Sequence, residues 1–360
     1  MNKATLNVDL RAVVNNWRFL KNLHNGEQTA AVVKANAYGL GAYQVSIALA
    51  NEGCERFFVA TLSEALELRS ELPNLKIYVF QGVLKGEESE YIGRNIHPVI
   101  NTISALKSWF KCQSENPNAL PAAIHIDSGM NRLGLNLSDL KGETLQMTKA
   151  LKADLLMTHY ASASDLDSQQ NAMQLAIMEQ ATKLLPHLTT CYANSAAHFL
   201  PTQYHGEVTR PGCALYGINP LDNAHDMMQP VATLSAPILQ IRTLSQHETV
   251  GYGATETLPA GSKIITAGIG YADGIHRTAS HRLHGFIGDY RLPQVGRITM
   301  DMTCYDASQV PSQILEQATH IEIMNQTQTV NDLARIYKTI GYEVLTSISS
   351  RVVRNYIARV

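Results

Sequence analysis

Five polar side chains stand where apolar runs stop, and their types define a chemistry. Lys34 follows Ala30-Ala31-Val32-Val33. An amine at the end of a buried run is costly to keep as an ammonium, so burial lowers its pKa from about 10.4 and frees it to form a Schiff base with an aldehyde. Arg132 lies in the turn-rich loop Asp127-Ser128-Gly129-Met130-Asn131-Arg132-Leu133-Gly134, and His159 ends Met157-Thr158-His159. Ser195 ends Tyr192-Ala193-Asn194-Ser195, and Arg210 opens Arg210-Pro211-Gly212-Cys213. Singly each has an ordinary explanation: a lysine leaving the core for water, a core histidine, a helix cap, surface arginines. Together, a lysine amine, an arginine, and Ser195 with the amides of Gly212 and Cys213 as a phosphate cradle point to pyridoxal phosphate anchored on Lys34.

The elements that must position these groups follow a rhythm from residue 29 onward. Eight short apolar strands alternate with loops and helical stretches: roughly 30–34, 57–61, 76–80, 96–100, 122–127, 155–159, 190–193 and 207–210. Alternation predicts a parallel sheet, and eight repeats over this length predict an α/β fold built on a closed (β/α)8 TIM-type barrel, with an open doubly wound sheet as the alternative. Barrel enzymes work at the carboxyl ends of their strands, and the seventh and eighth ends commonly bind phosphate. Lys34, Arg132, His159, Ser195 and Arg210 all fall at such ends. The helix at 168–185 is expected to bury a face with Met173, Ile177, Met178 and Leu184. Beyond Gly217 the prolines and alternating segments predict a mostly antiparallel β domain, with a helix at 330–339 and a last strand at 351–357. The expected domains are a barrel over 9–227 and a β domain over 228–360, joined by a lead-in strand within 1–8. Asp9 is placed to cap the first helix, whose Leu10, Val13, Val14, Trp17, Leu20 and Leu23 fall at helical spacing.

Composition excludes several functions. With 17% charged residues, a formal charge of -2 and 45% apolar residues in 360, there is no basic excess for nucleic acid or acidic lipid, so a small molecule is the expected ligand. Cys54, Cys112, Cys191, Cys213 and Cys304 are scattered and suggest neither a disulfide framework nor a metal site. The first ten residues lack a signal pattern and no apolar run nears the ~18 residues of a membrane span, so the expected location is the cytoplasm, with no membrane partner.

The residues also carry a resemblance. Val33-Lys34-Ala35-Asn36-Ala37-Tyr38-Gly39, the 127–134 loop, Arg210-Pro211-Gly212, Gly251-Tyr252-Gly253 and Gly296-Arg297-Ile298-Thr299-Met300-Asp301 occur in the order and approximate spacing of the alanine racemase family, which the whole chain resembles. The resemblance implies a pyridoxal phosphate enzyme with a barrel and a C-terminal β domain, a homodimer whose active site is shared between subunits, and interconversion of L- and D-alanine for peptidoglycan. It assigns Lys34 and Tyr252 of the partner subunit as bases on opposite faces of the substrate. It also assigns Tyr38, Ser195, Gly212 and Cys213 to the phosphate, and Arg210 to the pyridine nitrogen in a line with His159. Arg132 would meet the substrate carboxylate beside Met300 of the partner subunit, with His125, Asp301 and Tyr271 in support. Two positions depart from the family. A lysine modified by carbon dioxide commonly stands where this chain has His125, and a tyrosine commonly stands where it has Ser350. A serine there implies a wider mouth, which keeps a racemase of broader or different specificity, for serine or lysine, as the alternative. A non-catalytic cofactor-binding barrel is a further alternative, and it would lack the C-terminal domain.

Overall fold

The computed structural model describes residues 3–24, 28–72, 74–221 and 227–357; the outer ends of the expected domains, residues 1–2 and 358–360, lie outside these. The chain divides into two compact units, one of residues 13–229 and one of residues 1–12 with 230–360. No helix among the described residues is long and apolar enough to cross a membrane.

The first unit is a parallel barrel. Its first strand comes in two pieces, Gln28–Thr29 and Ala31–Val32, followed by Arg56–Val59, Lys76–Val79, Ile96–Ile100, Ala122–Asp127, Ala153–Met157, Thr189–Cys191 and Val208–Thr209. Each pairs in parallel with its neighbour. The eighth returns to the first through Thr209↔Thr29, and Val32 N–H donates to Pro211 O at 2.9 Å. The first strand is shorter than expected: it stops at Val32, so Lys34 stands just past the strand rather than on it. Phe57, Phe58, Ile77, Ile124, Ile126, Leu155, Leu156 and Val208 are fully buried, as strands covered on both faces require. The floor is polar: Tyr78 Oη donates to Asp154 Oδ2 at 2.5 Å, and the His97 ring stacks on Tyr78 at 4.5 Å.

The long helix, Gln169–Leu184, corrects one expectation. Met173 is 65% exposed, and the buried face is Asn171, Gln174, Leu175, Met178 and Ala181. The spacing is still helical, but the face is rotated because two amides, rather than methionine, are turned inward to hold loops.

In the second unit, eight strands run in the order 263–267, 303–306, 290–295, 284–287, 320–324, 232–243, 5–9, 353–357. All pairs are antiparallel except Thr5–Asp9 with Val353–Ile357. The strand Ala232–Thr243 also pairs with Lys263–Ala267, and it manages both partners by a register shift between Ile238 and Gln240. Asp9 ends the lead-in strand and caps the helix Leu10–Leu23, its Oδ1 accepting from Arg11 N at 2.9 Å and Ala12 N at 3.1 Å. The late helix is Val330–Tyr337, and a second helix, Gly341–Ser347, follows it.

Candidate active site

After Lys34 the backbone makes a left-handed turn. Ala35, Asn36, Ala37 and Tyr38 have φ of 51°, 52°, 52° and 56°. This region costs an L-residue roughly 1–2 kcal/mol, so four in succession must be held by their surroundings. Ala35 N–H donates to Glu64 Oε1 at 2.9 Å, Gly39 N–H to Ala35 O at 2.8 Å, and Asn36 Oδ1 accepts from Ala42 N at 2.8 Å. Glu64 is itself fixed by the capping box of the helix Leu62–Glu71: Thr61 Oγ1 accepts from Glu64 N at 3.2 Å, while Glu64 Oε2 accepts from Ala60 N at 2.7 Å. Burial lowers the pKa of the Lys34 amine, with the Arg132 and Arg210 cations acting in the same direction and Glu64 opposing them.

Across the mouth, Ser195 Oγ accepts from Gly212 N at 2.8 Å and Ala214 N at 3.3 Å, joining the seventh strand end to the eighth. The turns that follow, Ala196–Phe199 and Cys213–Tyr216, are 3-10 rather than α-helical. Tyr38 is buried with its ring 4.8 Å from that of Tyr216, whose hydroxyl donates to Val32 O at 2.8 Å. Gly212 permits this packing, because a Cβ there would lie 2.6 Å from Tyr38 Oη.

Arg210 is 2% exposed and is held without a carboxylate. Its Nε donates to Cys191 Sγ at 3.1 Å, and its Nη2 donates to Tyr192 O at 3.1 Å and to Thr158 O. Among the described residues no acid lies within ion-pair distance of it. Among the described residues Nη1 makes no hydrogen bond. This uncompensated cation, after burial, is the largest influence holding His159 well below the ordinary histidine pKa, and it also acts on His125, which falls to about 4. The tautomer of His125 is fixed by Asn101. Asn101 Nδ2 gives its hydrogens to Phe80 O at 2.8 Å and Val99 O at 3.5 Å, so its Oδ1 must accept, and His125 Nδ1 donates to it at 2.7 Å. His125, its pKa held down to about 4 chiefly by burial, is thus tied to an amide rather than to an anion.

The loop bearing Arg132 is built around Asp127, whose Oδ1 accepts from the amides of Gly129, Met130 and Asn131 at 3.0, 2.9 and 3.1 Å. Gly134, at φ +120°, folds the loop back so tightly that a Cβ would meet Asp127 N at 2.5 Å. Gln174 braces it from the long helix, donating to Ser128 Oγ at 3.0 Å and His159 O at 2.9 Å. Arg132 is exposed and its guanidinium makes no hydrogen bond or ion pair among the described residues.

In the second unit, Tyr252 is 73% exposed on a turn between Gly251 (φ +72°) and Gly253 (φ +77°). The Arg297 guanidinium backs that turn, 3.2 Å from where a Cβ of Gly253 would stand. Tyr271 and Met300 are also exposed, and Ala272 N–H donates to Met300 O at 3.0 Å. Asp301 accepts from Arg351 Nη2 at 2.8 Å, and Arg351 Nε lies 3.1 Å from Asp273. Lys34, Arg132, His159, Ser195, Arg210, Gly212 and Cys213 thus stand at one mouth of the barrel unit, while Tyr252, Tyr271, Met300 and Asp301 belong to the other unit. Sequence reading missed Glu64, Asn101 and Cys191. Of these only Glu64 had a local signal, the Thr61-x-x-Glu64 box.

The barrel residues fit pyridoxal phosphate: a lysine amine with lowered pKa, a Ser195 hydroxyl gathered against the Gly212 and Ala214 amides, and a buried guanidinium with no acid partner among the described residues. The chain matches the family model for the N-terminal domain of alanine racemase over residues 8–220 and that for its C-terminal domain over residues 231–356. It belongs to the alanine racemase family. An alanine racemase of Rhodospirillum rubrum is 38% identical, covering 98% of this chain and 96% of its own length. A catabolic alanine racemase of Agrobacterium fabrum is also 38% identical, covering 98% and 92%. Among solved structures, alanine racemase from Bartonella henselae, with covalently bound pyridoxal phosphate, superposes with a TM-score of 0.89 at 31% identity over 99% of this chain and 100% of that one.

Proposed function

We propose that this chain is a pyridoxal phosphate-dependent alanine racemase that works as a homodimer with shared active sites, supplying D-alanine for peptidoglycan in the cytoplasm. The observation that carries the reading is Arg210, a buried cation with no acid partner among the described residues, at the same mouth as Lys34, whose amine is pushed toward its neutral form by burial. Pyridoxal phosphate supplies, when bound, an electron-withdrawing ring that makes the α-proton of alanine removable.

The chain's residues do the rest. Lys34 anchors the cofactor and, once substrate displaces it, takes or returns the α-proton on one face. Tyr252 of the partner subunit does so on the other, since inversion needs a base on each side. The freedom of Tyr252 on its Gly-Tyr-Gly turn suits that reach. Arg210 would face the pyridine nitrogen of the bound cofactor and, being permanently charged, would keep that nitrogen unprotonated. By leaving that nitrogen unprotonated, Arg210 would favour prompt return of the proton over side reactions. Tyr38, Ser195 and the Gly212–Cys213 backbone hold the phosphate. Arg132, without a hydrogen-bond or ion-pair partner among the described residues, receives the substrate carboxylate beside Met300 of the partner subunit. His159 extends the line from Arg210, and Tyr271, Asp301 and His125 support the two halves.

A Tyr252→Phe variant tests the two-base assignment by α-proton exchange in deuterated water. Exchange should fall far more from L-alanine than from D-alanine, and equal losses would refute it. Ser350, exposed and small, favours a second reading in which larger amino acids are also accepted. Comparing turnover of L-alanine, L-serine and L-lysine decides this, and alanine as the poorest substrate would overturn the first reading.

A further inference from the structure

We propose that Cys191 is the positioning residue of Arg210: its thiol orients the guanidinium from inside the barrel while adding no negative charge. Cys191 ends the seventh strand and is fully buried, paired on one side with Met157 and on the other with Val208. Arg210 Nε reaches its sulfur at 3.1 Å, and the remaining bonds of the guanidinium are to the backbone carbonyls of Thr158, Cys191 and Tyr192. The carbonyls fix the plane of Nη2. The sulfur fixes Nε, and the two together fix the orientation of the planar guanidinium. The Arg210 Cζ also stands 5.9 Å from the rings of Phe58 and of Phe80, which exclude water beneath it.

A carboxylate at this place would satisfy Nε equally well and neutralise the arginine. A thiol does not, because burial pushes its pKa up and keeps it protonated, with Arg210 and Arg56 opposing that shift and Asp154 assisting it. The full charge of Arg210 is therefore delivered to the mouth, where it acts on His159 and His125. The Cys191 thiol's hydrogen-bond partner is Arg210 Nε, so its influence on the mouth passes through that arginine.

This inference rests on the functional reading above, and the test separates the two. Cys191→Asp, Cys191→Ser and Cys191→Ala are compared with wild type as holoenzymes, by cofactor absorbance against pH without substrate and by kcat and KM for alanine. In Cys191→Asp the arginine is neutralised, so the pyridine nitrogen gains a proton and the cofactor band titrates in a pH range where wild type and Cys191→Ser show no change. Cys191→Ala loses an oriented bond to a cation and should drop in kcat by on the order of tenfold with KM little altered, and Cys191→Ser should restore most of the loss. If Cys191→Ala fails to fold, the contrast between the Asp and Ser variants carries the test. Wild-type spectra and kcat in both Cys191→Asp and Cys191→Ala would overturn the proposal while leaving the racemase reading intact. A wild-type protein that shows no cofactor band in excess pyridoxal phosphate would sink the racemase reading itself.

Discussion

Replacing Glu64 by Gln probes how the chain holds Lys34 in place. The carboxylate accepts from Ala35, Ala60 and Thr61 amides at 2.9, 2.7 and 3.4 Å. A glutamine keeps one acceptor oxygen and turns an NH2 toward an N–H, so at least one bond to a charged group is lost, worth about 1.5–3 kcal/mol. Because Glu64 is only partly buried, about 2 kcal/mol is the reasonable figure. The four residues at positive φ have no other side-chain clamp at Ala35, so this loss falls on the left-handed turn. A change of about 2 kcal/mol in local opening speeds amide exchange about 30-fold, which hydrogen–deuterium exchange on a peptide spanning residues 33–42 would read directly. The Lys34 amine should respond as well. Glu64 is the larger of the two nearby groups favouring its protonated form, ahead of Cys213, so its removal moves the pKa further down, and reaction of Lys34 with an amine reagent should begin at lower pH. Unchanged exchange across 33–42 together with an unchanged pH profile at Lys34 would refute the idea that Glu64 holds this turn.

Two further outcomes follow from the same geometry. Gly212→Ala places a methyl 2.6 Å from Tyr38 Oη and should weaken retention of pyridoxal phosphate on dialysis by at least tenfold, while a global fold read by circular dichroism stays intact; retention equal to wild type would contradict the cradle. His24, His198 and His205 form a buried row, with ring centroids 5.6 and 5.9 Å apart, behind the segment that carries Ser195. Burial lowers all three pKa values, that of His198 to about 3. The unfolded chain therefore binds protons first. These residues leave stability unaffected well above pH ~6.5 and reduce it as pH falls below that, by about 2 kcal/mol at pH ~5 for His198 alone. A His198→Gln variant should flatten the loss between pH ~7 and ~5 in denaturant titrations, and an unchanged slope would count against the row as the source.

Much of the barrel was legible because fully buried parallel strands leave a plain record: short apolar runs, with polar residues where they stop. That record placed Lys34, His159, Ser195 and Arg210 at strand ends, although it ran the first strand on to Lys34 when the backbone leaves it at Val32. The left-handed turn left no trace, since none of Ala35, Asn36, Ala37 or Tyr38 is glycine and the conformation is imposed from outside by Glu64. Asn101 and Cys191 were invisible for another reason. Each is one polar residue at the end of an apolar run, and its meaning depends on a partner 24 or 19 residues away. Met173 failed because a hydrophobic period cannot foresee that Asn171 and Gln174 will be turned inward to brace loops.

The proposed anchoring of the cofactor on Lys34 is read out by borohydride reduction. Protein incubated with pyridoxal phosphate should show a band near ~420 nm that borohydride abolishes, with the reduced adduct found by peptide mapping on Lys34 alone and absent from a Lys34→Ala variant. A colourless protein, or an adduct on another lysine with Lys34 unmodified, would contradict the account.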